Sequence, residues 1–274
     1  MNVFVRLSGD LPSVQKSFFR NFVAFLFAAV IMLRRRIPLR CKSGNFRYLL
    51  LRSVFGTLGI LCNFYAVDHL VLADASMLNK MSPFFAIIFS YIILKEKVRP
   101  VQALAVAGAF IGSLFIIKPS LLNMDLIPSL IGLAGGIGAG AAYTMVRLLG
   151  ERGEEGPRIV CVFSGFSCVV TLPFLIFDYH AMTWQQLGIL LLAGLSAAGG
   201  QFAITAAYCH APAKEISVYD YSQIIFSAIL GFVIFGQLPD MFSWLGYVTI
   251  CGMAVMMFFY NRRSFRRFQK AHTT

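Results

Sequence analysis

A lysine and an aspartate stand inside stretches of the chain that are otherwise almost wholly apolar: Lys80 within residues 71–94, and Asp220 within residues 213–236. A charge at bilayer depth costs about 2.5–3.5 kcal/mol on insertion scales, so each needs a physical reason to be there. At 1.5 Å per residue Lys80, six residues into a helix read from 74 to 94, lies ~9 Å from its start, and Asp220, seven residues into its own, lies at similar depth, entered from the other face. A cavity between the two would offer a cation and an anion to a zwitterionic solute, with Lys80 facing a carboxylate and Asp220 an amine. The competing reading is a structural pair that holds two parts of the protein together. Asn79, Ser82, Tyr219, Tyr221 and Gln223 surround the two charges at near-helical spacing and have the donors and acceptors to orient a ligand. Asn63 and Gln201 extend this set, although interhelical hydrogen bonds explain those two more simply.

Other chemistry is less focused. Asp68, His69 and Asp74 form one cluster, and His210, Lys214 and Glu215 a second. A histidine beside a carboxylate titrates between pH 5 and 8, so His69 with Asp74 and His210 with Glu215 are candidates for proton coupling; solvated loop charges are the simpler alternative. Pro83 lacks an amide donor and is a natural hinge beside Asn79 and Lys80. Arg20 and Arg147 sit near span ends, where a long side chain snorkels to the interface. Six cysteines show neither CxxC nor His/Cys ligand spacing, so no metal, cofactor or disulfide framework is expected.

The elements that must position these residues are membrane helices. A chain of 274 residues with 58% hydrophobic and 13% charged residues and a mean hydropathy of +0.74 is too apolar for a soluble domain. Apolar spans cover 17–33, 47–67, 71–94, 100–117, 126–149, 158–177, 185–208, 213–236 and 242–260. Each approaches the ~20 residues that cross ~30 Å of hydrocarbon, and none alternates with period two, which excludes a barrel. The formal charge of +12 follows topology and points to anionic lipid as partner, not nucleic acid. Eighteen of the 24 Lys and Arg fall in alternate loops and the tail, beginning with Arg34, Arg35, Arg36, Arg40, Lys42 and Arg47 and ending with Arg262 to Lys270. The charge bias therefore predicts a cytoplasmic C-terminus.

The chain also matches itself at an offset of 141 residues. Val5, Arg6 and Leu7 align with Val146, Arg147 and Leu148; Gly59 with Gly200; His69 with His210; Phe85 with Phe226; and Ile93 with Ile234. Two units are expected, residues 1–120 and 121–274, the second closing on the basic tail. The second unit has five helices, whereas only Met1 to Leu7 stands for the first helix of the first unit. The expected fold is thus an all-α integral membrane bundle of inverted repeats, with nine helices visible of ten. An odd number of helices per unit reverses equivalent helices across the membrane, which is how many secondary transporters obtain two related conformations.

With Phe18-Phe19-Arg20-Asn21, Phe64-Tyr65-Ala66, Leu94-Lys95-Glu96-Lys97 and the pair Gly108 and Gly112, the sequence resembles the drug/metabolite transporter superfamily, in particular its EamA-type members. The second unit departs from the pattern, having Gln237 where the counterpart of Glu96 would stand. The resemblance implies a ten-helix carrier of small metabolites that works by alternating access, and an Arg20 that guides anions. Amino acids and related amines are the expected substrates, carried across the cytoplasmic membrane by a monomer or homodimer among membrane lipids. The alternative is a polytopic enzyme acting on lipid-linked substrates, with Asp68, His69 and Asp74 as its nearest catalytic candidates.

Overall fold

A computed structural model describes all residues except 43, 94, 96–99, 118–124, 211–221 and 273–274. The described residues form helices α1 (Asn2–Leu7), α2 (Ser13–Arg35), α3 (Phe46–His69), α4 (Leu72–Asn79), α5 (Ser82–Ile93), α6 (Pro100–Ile117), α7 (Leu126–Glu151), α8 (Gly156–Phe177), α9 (Trp184–His210), α10 (Ser222–Phe235) and α11 (Met241–His272). Seven of the spans they build are long and apolar enough to cross a membrane, with shorter apolar stretches at Ala103–Ile116 and Phe226–Phe235. The burial pattern is that of a protein solvated by lipid. Phe177, Val169 and Val248 are exposed, while Ser17, Asn21, Ser164 and Ser167 are fully buried. Polar groups in such an environment must be satisfied by other helices.

The packing follows the 141-residue offset. Helix α2 lies along α8 and α6 along α11, pairs that the offset maps onto themselves; α3 lies along α7, and its image is the contact of α9 with α1. Helices α2 and α8 run antiparallel. Arg158 Nε, near the start of α8, donates to the Pro38 carbonyl beyond the end of α2 at 2.9 Å. At the far end, Gln15 near the start of α2 exchanges two hydrogen bonds, of 2.9 and 3.1 Å, with the backbone of His180 beyond α8. Equivalent helices are therefore inverted. The six residues of α1 fill the place that the offset equates with the end of α7, and Arg6 donates to the Leu70 carbonyl at 2.7 Å and stacks on Phe235.

The span from 71 to 94 is not one helix, as the sequence predicts, but two. Pro83 has no amide to offer the Asn79 carbonyl, so the helical hydrogen-bond ladder is interrupted there and the backbone turns at Lys80 and Met81. Lys80 closes α4 as its C-cap residue, where a cation is favoured by the helix dipole. Glycines on α7 make the break possible. A Cβ on Gly136 would stand 2.6 Å from the Leu78 carbonyl oxygen, and one on Gly140 would stand 2.7 Å from that of Ser82. The opposite side of α7 meets α3 through Gly135 and Gly138, whose backbones approach Gly59 closely. Gly136 and Gly140 thus form one seam of α7, and Gly135 and Gly138 a second.

Both ends of the bundle are tied. At the arginine-rich end, Glu154 accepts hydrogen bonds from the Lys42 amide (2.7 Å) and the Asn45 side chain (3.1 Å) and forms a buried ion pair with Arg158. Burial alone would push the Glu154 carboxyl up; the bonds from Asn45, Lys42 and Arg158 and the Arg158 charge outweigh it and hold it below its ordinary value. At the other end, Lys16, 1% exposed, pairs with Asp68 at 2.6 Å, and Ser13 donates to the same carboxylate.

A cationic cavity as candidate functional site

Between these ties lies a cavity of about 410 Å³, built from both repeats. The α4–α5 break brings Asn79 and Lys80 to it; α3 adds Asn63, α9 adds Gln201, and α10 adds Gln223. A smaller chamber of about 100 Å³ adjoins it, sharing Arg20, Asn63, Asn79, Tyr143 and Gln201 and adding Arg52 and Phe163. The ionisable side chains that line the two are Arg20, Arg52, Lys80 and Tyr143; among the described residues no carboxylate does.

The structure therefore brings together five of the residues singled out in the sequence: Lys80, Asn79, Asn63, Gln201 and Gln223. Ser82 is buried where α5 meets α7 and does not line the cavity. Asp220, Tyr219, Tyr221 and Glu215 fall outside the described residues. The buried Oδ1 of Asn63 has no partner among the described residues. Gln201 accepts from Arg20 at 3.3 Å and donates to Thr205 at 3.2 Å.

Arg20 corrects the snorkelling expectation. It is 4% exposed and turned inward, because a polar network on three helices holds it there. Its guanidinium donates to Asn21 Oδ1, and the Asn21 amide in turn donates to Ser17 on its own helix and to Ser167 Oγ on α8 at 2.8 Å. Sequence reasoning missed Arg52 altogether, although it stands ~9 Å inside α3 by the count that singled out Lys80. Arg52 is 2% exposed and lies over the ring of Phe163 at 4.0 Å, with Arg20 near the same ring at 5.9 Å. Its seat is cut by Gly56, one turn along α3, where a Cβ would stand 2.0 Å from Arg52 Nη1 and 2.8 Å from the Phe163 ring.

The described members of the histidine clusters, His69, Asp74 and His210 among them, do not line this cavity. His69 stacks on Tyr65 at 4.1 Å and its Nδ1 is 2.8 Å from the Tyr65 carbonyl; Asp74 accepts from the Tyr247 hydroxyl at 2.6 Å. Both face a separate polar recess with Arg6, Asp125 and Asp240. His210 is exposed at the end of α9, its Nδ1 2.8 Å from the Ala206 carbonyl.

Residues 2–118 and 126–259 each match the model of the EamA-like transporter family. The chain belongs to that family. It is 31% identical to the pseudopaline exporter CntI of Pseudomonas aeruginosa, with 91% of this chain and 88% of that protein covered. It is 25% identical to a riboflavin transporter of Brucella anthropi, with 94% and 93% covered. A solved crystal structure superposes with a TM-score of 0.68 at 15% identity, over 93% of this chain and 91% of that one. The protein is accordingly a multi-pass membrane transporter of small molecules, and the cavity lies at the interface of the two repeats.

Proposed function

We propose that the protein is a secondary carrier of small polar metabolites, with amino acids and related amines foremost, and that it works by alternating access around this cavity. The observation that carries the reading is the charge of the described lining: Arg20 and Lys80 line the cavity and Arg52 its adjoining chamber, while Asn63, Asn79, Gln201 and Gln223 supply neutral hydrogen-bonding groups. In this scheme Lys80, at a helix break, receives the carboxylate, and Asp220 receives an amine. The ties at the two ends of the bundle are the contacts that alternating access would break in turn. The basic loops orient the protein in the cytoplasmic membrane with the C-terminus inside, as a monomer or homodimer. The relatives named as an exporter and a riboflavin transporter support transport of a small organic solute.

Transport is favoured over catalysis on lipid-linked substrates because the carboxylates and the histidine near the interface are engaged in hydrogen bonds: Asp68 with Lys16 and Ser13, Asp74 with Tyr247, and His69 with Tyr65. The test is counterflow in proteoliposomes preloaded with single amino acids or polyamines. Labelled solute is expected to accumulate transiently when the matching unlabelled solute is inside, and Asp220→Asn is expected to abolish this for amine-bearing solutes. Failure of every amino acid and amine to exchange through well-folded protein would refute the substrate class.

A further inference from the structure

The smaller chamber has a feature that a simple zwitterion site does not require. Lys80 already provides one cation, on the α4–α5 break, yet two further guanidinium groups are buried here, Arg20 lining both chambers and Arg52 the smaller one. Among the described residues Arg52 makes no hydrogen bond, and its Nε, that of Arg20 and Asn63 Oδ1 are buried without a partner. Two like charges held against one phenylalanine ring are costly in an apolar setting, and cation–π attraction offsets only part of that cost. A buried cation of this kind is stabilised when a counter-ion joins it. The guanidinium fork fits one ligand chemistry best: two parallel N–H donors match the two oxygens of a carboxylate, or of a phosphate.

We propose that Arg20 and Arg52, seated by Phe163 and Gly56, form a second anion subsite, so that the favoured solute carries two acidic groups, one for Lys80 and one for the arginine pair. This rests on the carrier reading above and narrows its substrate class. Arg20 is pre-oriented by Asn21 and Gln201, and Arg52 keeps its donors for the ligand. The Asn63 carbonyl between the chambers accepts a donor from the body of the same solute. Because Gly56 carves the seat, it is a positioning residue: an alanine there pushes the Arg52 guanidinium off its place without altering any charge.

The test compares dicarboxylic amino acids, from aspartate to 2-aminopimelate, with their ω-amides, and adds phosphoserine as a carboxylate–phosphate solute. Two readouts apply: competition in counterflow and the rise in melting temperature of the purified protein. In the wild type at least one diacid is expected to compete tenfold or more better than its amide and to raise the melting temperature further. A phosphoserine advantage over serine equal to the best diacid-to-amide ratio assigns the subsite to either oxyanion; a lesser one assigns it to carboxylate. Arg52→Gln and Gly56→Ala are each expected to bring the diacid-to-amide ratio to within threefold of unity. A wild-type ratio near unity across the whole series, in either readout, overturns the subsite even if a variant fails to fold. A ratio left intact in a well-folded Arg52→Gln overturns it too. Wild-type protein that exchanges acids and amides equally refutes the subsite alone, whereas no exchange of any of them refutes the carrier reading beneath it.

Discussion

Replacing Glu154 by Gln tests the tie at the arginine-rich end. The carboxylate accepts three hydrogen bonds, two from the loop of the first repeat and one from Arg158, and is wholly buried. A glutamine oxygen still accepts from the Lys42 amide or the Asn45 side chain, but its amide group faces the Arg158 guanidinium, donor against donor. Removing one partner of a buried ion pair costs about 3–5 kcal/mol, and a single charged hydrogen bond about 1.5–3 kcal/mol. Because part of the network survives, the expected cost to the tied state is about 2–3 kcal/mol, or roughly a 30- to 150-fold shift toward the untied state. Cys41, half-buried next to Lys42, reports it: maleimide should label Cys41 at least tenfold faster in Glu154→Gln, with Cys41→Ser protein as the background. The melting temperature should fall as well. The Glu154 carboxyl is held below its ordinary value, so its contribution is present above the unfolded value of ~4.3 and is lost as pH falls through the lower folded value. Wild-type protein should therefore lose stability in that acid range through a step that Glu154→Gln lacks. Labelling within twofold of wild type, with an unchanged melting temperature, would refute the reasoning.

Alanine at Gly136 or Gly140 would meet a backbone carbonyl at 2.6 or 2.7 Å, so each should cost about 1–3 kcal/mol in thermal unfolding, whereas Gly188→Ala meets nothing within 4 Å and should be neutral. Asp68→Asn should destabilise by about 3–5 kcal/mol because it strands buried Lys16, and Lys16→Met with Asp68→Leu should recover most of that loss in the same melt. Tyr247→Phe removes the 2.6 Å bond to buried Asp74 and should cost about 1–3 kcal/mol, read by chemical denaturation in detergent.

Much of this architecture is legible in the sequence because bilayer physics leaves few alternatives. Span length and the lysine and arginine bias give the helices and their order. The 141-residue offset pairs α2 with α8 and α6 with α11, and these pairs are seen in contact. The site is legible only in part. Lys80 stands out because a lysine far inside an apolar run is costly and needs a physical reason, and Asn63 and Gln201 stand out as polar residues on the same principle. Arg52 escapes notice because it follows Arg47, and a cation one turn from a basic loop reads as part of that loop. Arg20 misleads for the same reason. Its inward turn depends on Asn21, Ser167 and Gln201, which lie on three helices up to 181 residues away. Pro83 announces a hinge, but only the contact with Gly136 and Gly140 of α7 shows why the backbone breaks fully at Lys80. The ties at the two ends are illegible for a general reason: Lys16 and Asp68 are 52 residues apart, and Asn45 and Glu154 109. No local pattern joins them.

The central claim is that the cationic cavity carries the solute, and Lys80 is its sharpest test. Wild-type protein and Lys80→Gln, matched for melting behaviour, should be compared in counterflow with the best-exchanged carboxylate solute in the same proteoliposome preparation. The account predicts saturable, trans-stimulated accumulation in the wild type and a loss of at least tenfold in Lys80→Gln. Equal counterflow by both proteins would contradict it.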